Sequence, residues 1–114
     1  MTVTVTSETA PNGIALVRLG GRLDAGNLPT VRDRTDALDA SGATRVVIDL
    51  TDVSFLDSAG LALLVTVLKH SRQAGGDTRL VWPANENTRR ILRLTHFDRV
   101  FDIAQTADEA LGRF

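Results

Sequence analysis

The 114-residue sequence predicts an α/β fold: a single mixed, mostly parallel β-sheet packed with α-helices. Three observations carry this. Short apolar or alternating runs recur between segments of helical periodicity. Glycine pairs and capping residues mark the changes of element. The resulting order, ββαβαβαβα, alternates strands with helices, the pattern of βαβ units with right-handed crossovers. The length is that of one ordinary domain, and residues 1–114 read as one, without repeat, linker or low-complexity segment. At 43% hydrophobic and 24% charged, with only three prolines, the chain is neither disordered nor collagen-like.

Residues 2–6 (TVTVT) alternate valine with threonine at period two, a strand with one buried face at a sheet edge. Pro11-Asn12-Gly13 is turn chemistry, and residues 14–19 form a second strand, antiparallel to the first across so short a loop. Gly20-Gly21 ends or bends that strand. Asn27 caps a helix running to about Ala40, with Pro29 in its first turn, Val31 and Leu38 inward, and Ser41-Gly42 as its stop. Residues 45–50 (RVVIDL) are a short apolar strand of the kind covered on both faces. Residues 51–57 form a connection ending at Asp57-Ser58, two good cap residues in a row. The longest helix runs from Ser58 to about Ala74; Leu61, Leu64, Val65 and Leu68 make its apolar stripe, widened by Leu63 and Val67, and Gly75-Gly76 stops it. A strand over 78–82, a helix to Leu94 capped by Asn85 or Asn87, a weak strand over 100–103 and a short helix over 107–111 complete the order.

Composition and motifs exclude much chemistry. Without cysteine there is no disulfide, thiolate metal site or cysteine nucleophile, and two histidines, His70 and His96, do not make a metal site, so no cofactor is expected. A net charge of −1 provides no global attraction to nucleic acid or anionic lipid. No secretion signal opens the chain and its most apolar stretch, residues 59–68, is far short of the ~20 needed to span a bilayer, so a cytoplasmic protein without membrane insertion is expected. The dinucleotide fingerprint, the P-loop and the nucleophile elbow are missing. His70 lies twelve residues along the same helix as Ser58, about 18 Å away, too far to activate it as a hydrolase nucleophile. Asp49 invites comparison with a phosphoacceptor aspartate, but the acidic cluster and lysine of receiver domains are missing, and a locally capped carboxylate is the simpler reading. Arg89, Arg90, Arg93 and Arg99 stand against Glu86 and Asp98 with only Phe97 between them, a solvated face rather than a nucleic-acid site.

The segment VVIDLTDVSFLDSAGLALLVTVLKHSRQAGG resembles the core signature of the STAS domain, the fold of bacterial anti-sigma-factor antagonists. In that family a strand ending in Asp-Leu is followed by D-S-[SA]-G at a helix start. Upstream, GGRLDAGN is similar to the family's G-[ER]-L-D segment; downstream, TRRILRLTHFDRVFDI is similar to its third-helix region and last strand. The resemblance spans residues 2–111. It departs from the pattern at His96, where the family often has a glycine in a left-handed cap, and at Ala59, where many members carry a second serine.

This resemblance implies a non-enzymatic regulator. It implies that Ser58, the serine of D-S-[SA]-G, is phosphorylated by an anti-sigma factor that is itself a serine kinase with a histidine-kinase-like ATP-binding fold. The unmodified form would sequester that kinase and free the sigma factor; phosphorylation would dissociate the pair, and a PP2C-type phosphatase would restore it. Asp24, Asn27, Asp57 and Gly60 would complete the partner-binding patch around Ser58. From the residues alone, Ser58 reads first as a plain helix cap, and Asp24 equally as a turn or capping residue. The same fold also serves as an accessory subunit of membrane lipid transporters and in sensory, stressosome-like assemblies, so that alternative stands beside the first.

Overall fold

The computed structural model describes residues 3–114; Thr2, the first residue of the expected opening strand, lies outside them. The elements run β1 (Val3–Thr9), a 3-10 turn (Pro11–Gly13), β2 (Ala15–Leu23), α1 (Leu28–Ala40), β3 (Arg45–Leu56), α2 (Ser58–Gln73), β4 (Asp77–Val81), α3 (Glu86–Leu94), α4 (Phe97–Val100), β5 (Asp102–Ala104) and α5 (Ala107–Gly112). They build one five-stranded sheet in sequential order β1-β2-β3-β4-β5. β1 is antiparallel to β2 and every later pairing is parallel, so the sheet is mixed and mostly parallel as expected. The β1–β2 reversal is tight because Asn12 and Gly13 both take positive φ (71° and 76°), and Asn and Gly are residues that tolerate it.

The period of two divides the strands between two cores. Ala15, Val17, Leu19, Val46, Ile48, Leu50 and Leu80 join Val31 of α1, Leu92 of α3 and the inner face of α2 in the larger cluster. Ile14, Leu16, Val47, Val81 and Ala104 face the other way, against Ala110 of α5. The central strand β3 is therefore covered on both faces. The buried stripe of α2 is Gly60, Leu63, Leu64, Val67, Leu68 and Ser71. It is rotated from the expected one: Leu64 and Leu68 are central, but Leu61 and Val65 are only half-buried and Leu63 and Val67 lie deeper. Each of those leucines and valines is worth roughly 1.5–3 kcal/mol of burial, so α2 is held chiefly by its inward face.

Three segments correct the sequence reading. Residues 51–56 are not a connection: β3 continues through them to Leu56, and β2 continues through Gly20-Gly21 to Leu23. Both extensions rest on irregular pairing, with register shifts between Arg18 and Gly20 and again between Gly21 and Arg22. Such bulges interrupt the alternation that reveals a strand. Asp49 consequently sits within β3 rather than near its end; its Oδ1 accepts from the Thr51 amide at 3.0 Å and the Thr51 hydroxyl at 2.5 Å, the local capping expected of it. The last strand is Asp102–Ala104 rather than 100–103, because residues 97–100 form the short helix α4. His96 precedes α4 with φ 60°, ψ 28°. This is the left-handed conformation, adopted at some cost by a side chain with a Cβ.

Candidate functional site

The last residues of β2 and β3 are register partners, Leu23 opposite Leu56, so the loops that follow them emerge side by side. One carboxylate stitches these loops. Asp57 is the N-cap of α2: its Oδ1 accepts from the Gly60 amide at 2.9 Å, and its Oδ2 accepts from the Ala25 amide at 3.1 Å, across 32 residues of sequence. The Asp57 amide in turn donates to the Leu23 carbonyl at 3.4 Å. The bond from Gly60 holds the Asp57 carboxyl below its ordinary value of 3.8; burial works against this, but further amides, that of Ala25 first among them, add to the lowering.

The β2–α1 loop has its own carboxylate. Asp24 Oδ1 accepts from the Asn27 amide at 3.1 Å, and Asp24 Oδ2 accepts from Arg22 Nε at 3.2 Å. The expected cap role of Asn27 is corrected here. Asn27 does stand at the N-cap position of α1, but its side chain makes no capping bond. Its side-chain Nδ2 instead donates to the Arg22 carbonyl at 3.0 Å, tightening the loop.

Ser58 is the first residue of α2 and is exposed. Its position follows from Asp57: a capped first turn fixes the direction of the next side chain, here at a helix end whose amides favour negative charge. Gly60 is buried beneath it, and a Cβ there would stand 3.0 Å from Leu23 Cγ and closer still to the Leu23 carbonyl oxygen. The glycine lets the start of α2 lie against the end of β2. Thus Asp24 and Asn27 on the β2–α1 loop and Asp57, Ser58 and Gly60 at the start of α2, distant in sequence, lie side by side at the C-terminal edge of the parallel strands. Among the described residues no cluster of three His, Asp or Glu side chains could hold a metal ion.

A family model described as the STAS domain matches residues 7–110. The chain belongs to the STAS domain family. The anti-sigma-F factor antagonist RsfB of Mycobacterium tuberculosis is 31% identical over 112 residues, covering 97% of this chain and 87% of the relative. The crystal structure of an anti-sigma factor antagonist from Mycobacterium paratuberculosis superposes with a TM-score of 0.85 at 28% identity, covering 98% of this chain and 93% of that one. SpoIIAA of Bacillus, solved in its phosphorylated form, shares the fold with a TM-score of 0.74 at 22% identity over 96% of this chain and 98% of that one. Relatives from Thermotoga neapolitana and Thermotoga maritima are 39% identical over 70 residues, and the chain aligns with 61% of the length of each.

Within this STAS domain the residues the sequence left without a role are Arg22 and Phe55. The Arg22 guanidinium lies 3.9 Å above the centre of the Phe55 ring, on the same rim as Asp24. No local pattern signals that contact, which depends on the register set after two bulges. Among the described residues no helix is long and apolar enough to cross a membrane. The α3 arginines also find partners that the sequence did not indicate: Arg89 lies 5.2 Å from the Trp82 ring centre and Arg93 pairs with Glu86 at 3.1 Å.

The Asp57 stitch makes one stability expectation testable. The carboxyl is lowered on folding, so its contribution is fully present above its unfolded value near 3.8 and is lost as the pH falls through the still lower folded value. Asp57→Asn keeps an acceptor for Gly60 but turns its second oxygen into a donor facing the Ala25 amide. We expect this variant to be less stable at neutral pH by about 1–2 kcal/mol, with the difference from wild type shrinking below pH 4 in urea titrations. A constant difference from pH 7 to pH 3 would contradict the stitch.

Proposed function

We propose that this chain is an anti-sigma-factor antagonist whose unphosphorylated form binds and sequesters an anti-sigma serine kinase, freeing the sigma factor, and that phosphorylation at Ser58 switches it off. The observation that carries the proposal is the exposed hydroxyl of Ser58 at the first position of α2, next to an ionised Asp57 that bridges two loops. Family membership and the names of the similar relatives support the class of partner.

A phosphate there adds roughly −1.5 to −2 charge. The helix N-terminus accommodates that charge, so the fold persists. The partner does not accommodate it: the rim already carries Asp24 and Asp57, and a surface shaped for a neutral hydroxyl meets bulk, lost hydration and repulsion. The kinase is read as a histidine-kinase-like ATP-binding protein and the restoring enzyme as a PP2C-type phosphatase, with the switch operating in the cytoplasm and without direct contact to nucleic acid.

The test is affinity capture from native lysate with wild-type and Ser58→Asp baits, read by mass spectrometry. Enrichment of a small ATP-binding kinase of this kind by wild type, and its loss with Ser58→Asp, is the expected result. Equal recovery by both baits of the components of a lipid transporter or of a stressosome-like assembly would contradict it and would leave Ser58 as a helix cap.

A further inference from the structure

Arg22 has no part in the switch as described, yet it is held at its rim from three sides. Its guanidinium lies on the Phe55 ring at 3.9 Å, its Nε donates to Asp24 Oδ2 at 3.2 Å, and its backbone carbonyl is fixed by the Asn27 side chain at 3.0 Å. Arg22 and Phe55 are register partners on β2 and β3, so the stack is built into the sheet. The side chain is 32% exposed, and among the described residues neither of its terminal nitrogens donates to a protein group. Stacking uses one face of the guanidinium and Asp24 uses its Nε. The outer edge, with two parallel N–H groups, is left free and already oriented, the geometry that takes a carboxylate in a bidentate fork.

The surrounding charge gives this cation meaning. Within residues 22–27 and 55–60 the charged side chains are Arg22, Asp24 and Asp57. The rim thus carries two carboxylates and one arginine at a defined place, paired with Asp24. We infer that Arg22 is a specificity-determining contact, donating to one acidic side chain of the partner kinase while basic groups of that partner face Asp24 and Asp57. This rests on the function proposed above. A kinase presenting a basic or apolar residue opposite Arg22 would bury its outer N–H groups without an acceptor and be rejected, which is discrimination by unpaired donors.

The experiment uses the kinase isolated on the wild-type bait, titrated without nucleotide against wild type, Arg22→Gln, Arg22→Lys, Arg22→Glu and Ser58→Asp. Arg22→Gln is expected to weaken binding about tenfold or more, chiefly through faster dissociation and without a fall in melting temperature. Arg22→Glu weakens it further, and Arg22→Lys restores only part, because an ammonium neither forms the fork nor stacks flat on Phe55. Wild-type affinity for Arg22→Gln, with Ser58→Asp still losing the partner, overturns the inference and leaves the switch standing. A loss for Arg22→Gln that comes with a lowered melting temperature, and that Arg22→Lys does not partly restore, makes Arg22 merely structural, and also overturns it. No kinase on the wild-type bait, or full binding by Ser58→Asp, removes the switch and the inference together.

Discussion

Gly60→Ala is expected to destabilise the protein by about 2 kcal/mol and to lower its melting temperature by roughly 8 °C, at about 4 °C per kcal/mol for a chain of this size. Two effects oppose each other. Alanine is the better helix former, by up to about 1 kcal/mol in a helix interior and less in a first turn. Against this, the new methyl would press on the Leu23 carbonyl oxygen, stand 3.0 Å from Leu23 Cγ and 3.3 Å from its carbonyl carbon. Leu23 is wholly buried, its strand is paired with β3, and its carbonyl accepts the Asp57 amide. It has nowhere to go, so the start of α2 must lift away and strain the capping bond from Gly60 to Asp57. Overpacking typically costs about 1–3 kcal/mol, and a clash with paired backbone belongs at or beyond the top of that range. Gly112→Ala is the control: nothing lies within 4 Å of a Cβ at that position. Thermal unfolding of both variants decides the matter. An unchanged or raised melting temperature for Gly60→Ala would show that α2 does not lie against β2 as described.

Ser58→Asp is expected to reduce affinity for the proposed partner kinase by about a hundredfold or more while leaving the melting temperature unchanged or slightly raised. A carboxylate in the first turn of a helix is favourable by roughly 0.3–1 kcal/mol, so instability cannot be the cause of lost binding. Like charges juxtaposed at an interface cost several kcal/mol, and each ~1.4 kcal/mol is tenfold in affinity. Aspartate carries less charge than a phosphate and is therefore the milder mimic. Ser58→Ala, which adds neither charge nor bulk, is expected to bind as wild type does. Calorimetric titration of the three proteins separates these outcomes; a Ser58→Ala variant that also loses the partner would mean that the hydroxyl itself makes the contact.

Local chemistry was readable in the sequence. The α2 start at Ser58 with Asp57 as its cap, the α3 cap at Asn85 rather than the other candidate Asn87, the stop at Gly75-Gly76 and the turn at Asn12-Gly13 all depend on residues within a few positions of each other. His96 stood as a departure that put its turn in question, and it takes the left-handed conformation nonetheless, a conformation in which histidine is enriched. Long-range geometry was not readable. The run Thr51, Asp52, Val53, Ser54, Phe55, Leu56 reads as a loop because two bulges displace its inward residues, Val53 and Leu56, from strict alternation. Asn27 has the composition of a helix cap, but the competing acceptor Arg22 O and the nearby Asp24 carboxylate draw it into the loop. The bond from Ala25 to Asp57 and the stack of Arg22 on Phe55 exist only because β2 and β3 run side by side. The individual site residues were therefore visible, but the stitch that joins them was not.

The most direct test of the central claim is phosphate transfer. The kinase captured by the wild-type protein is incubated with ATP, magnesium and either wild type or Ser58→Ala, and each product is read by intact mass and peptide sequencing. One phosphate on wild type, located at Ser58, none on Ser58→Ala, and release of the modified protein from the kinase is the result expected here. Phosphate on another residue, or an unmodified wild-type protein in a complex whose kinase is active on other substrates, would contradict it.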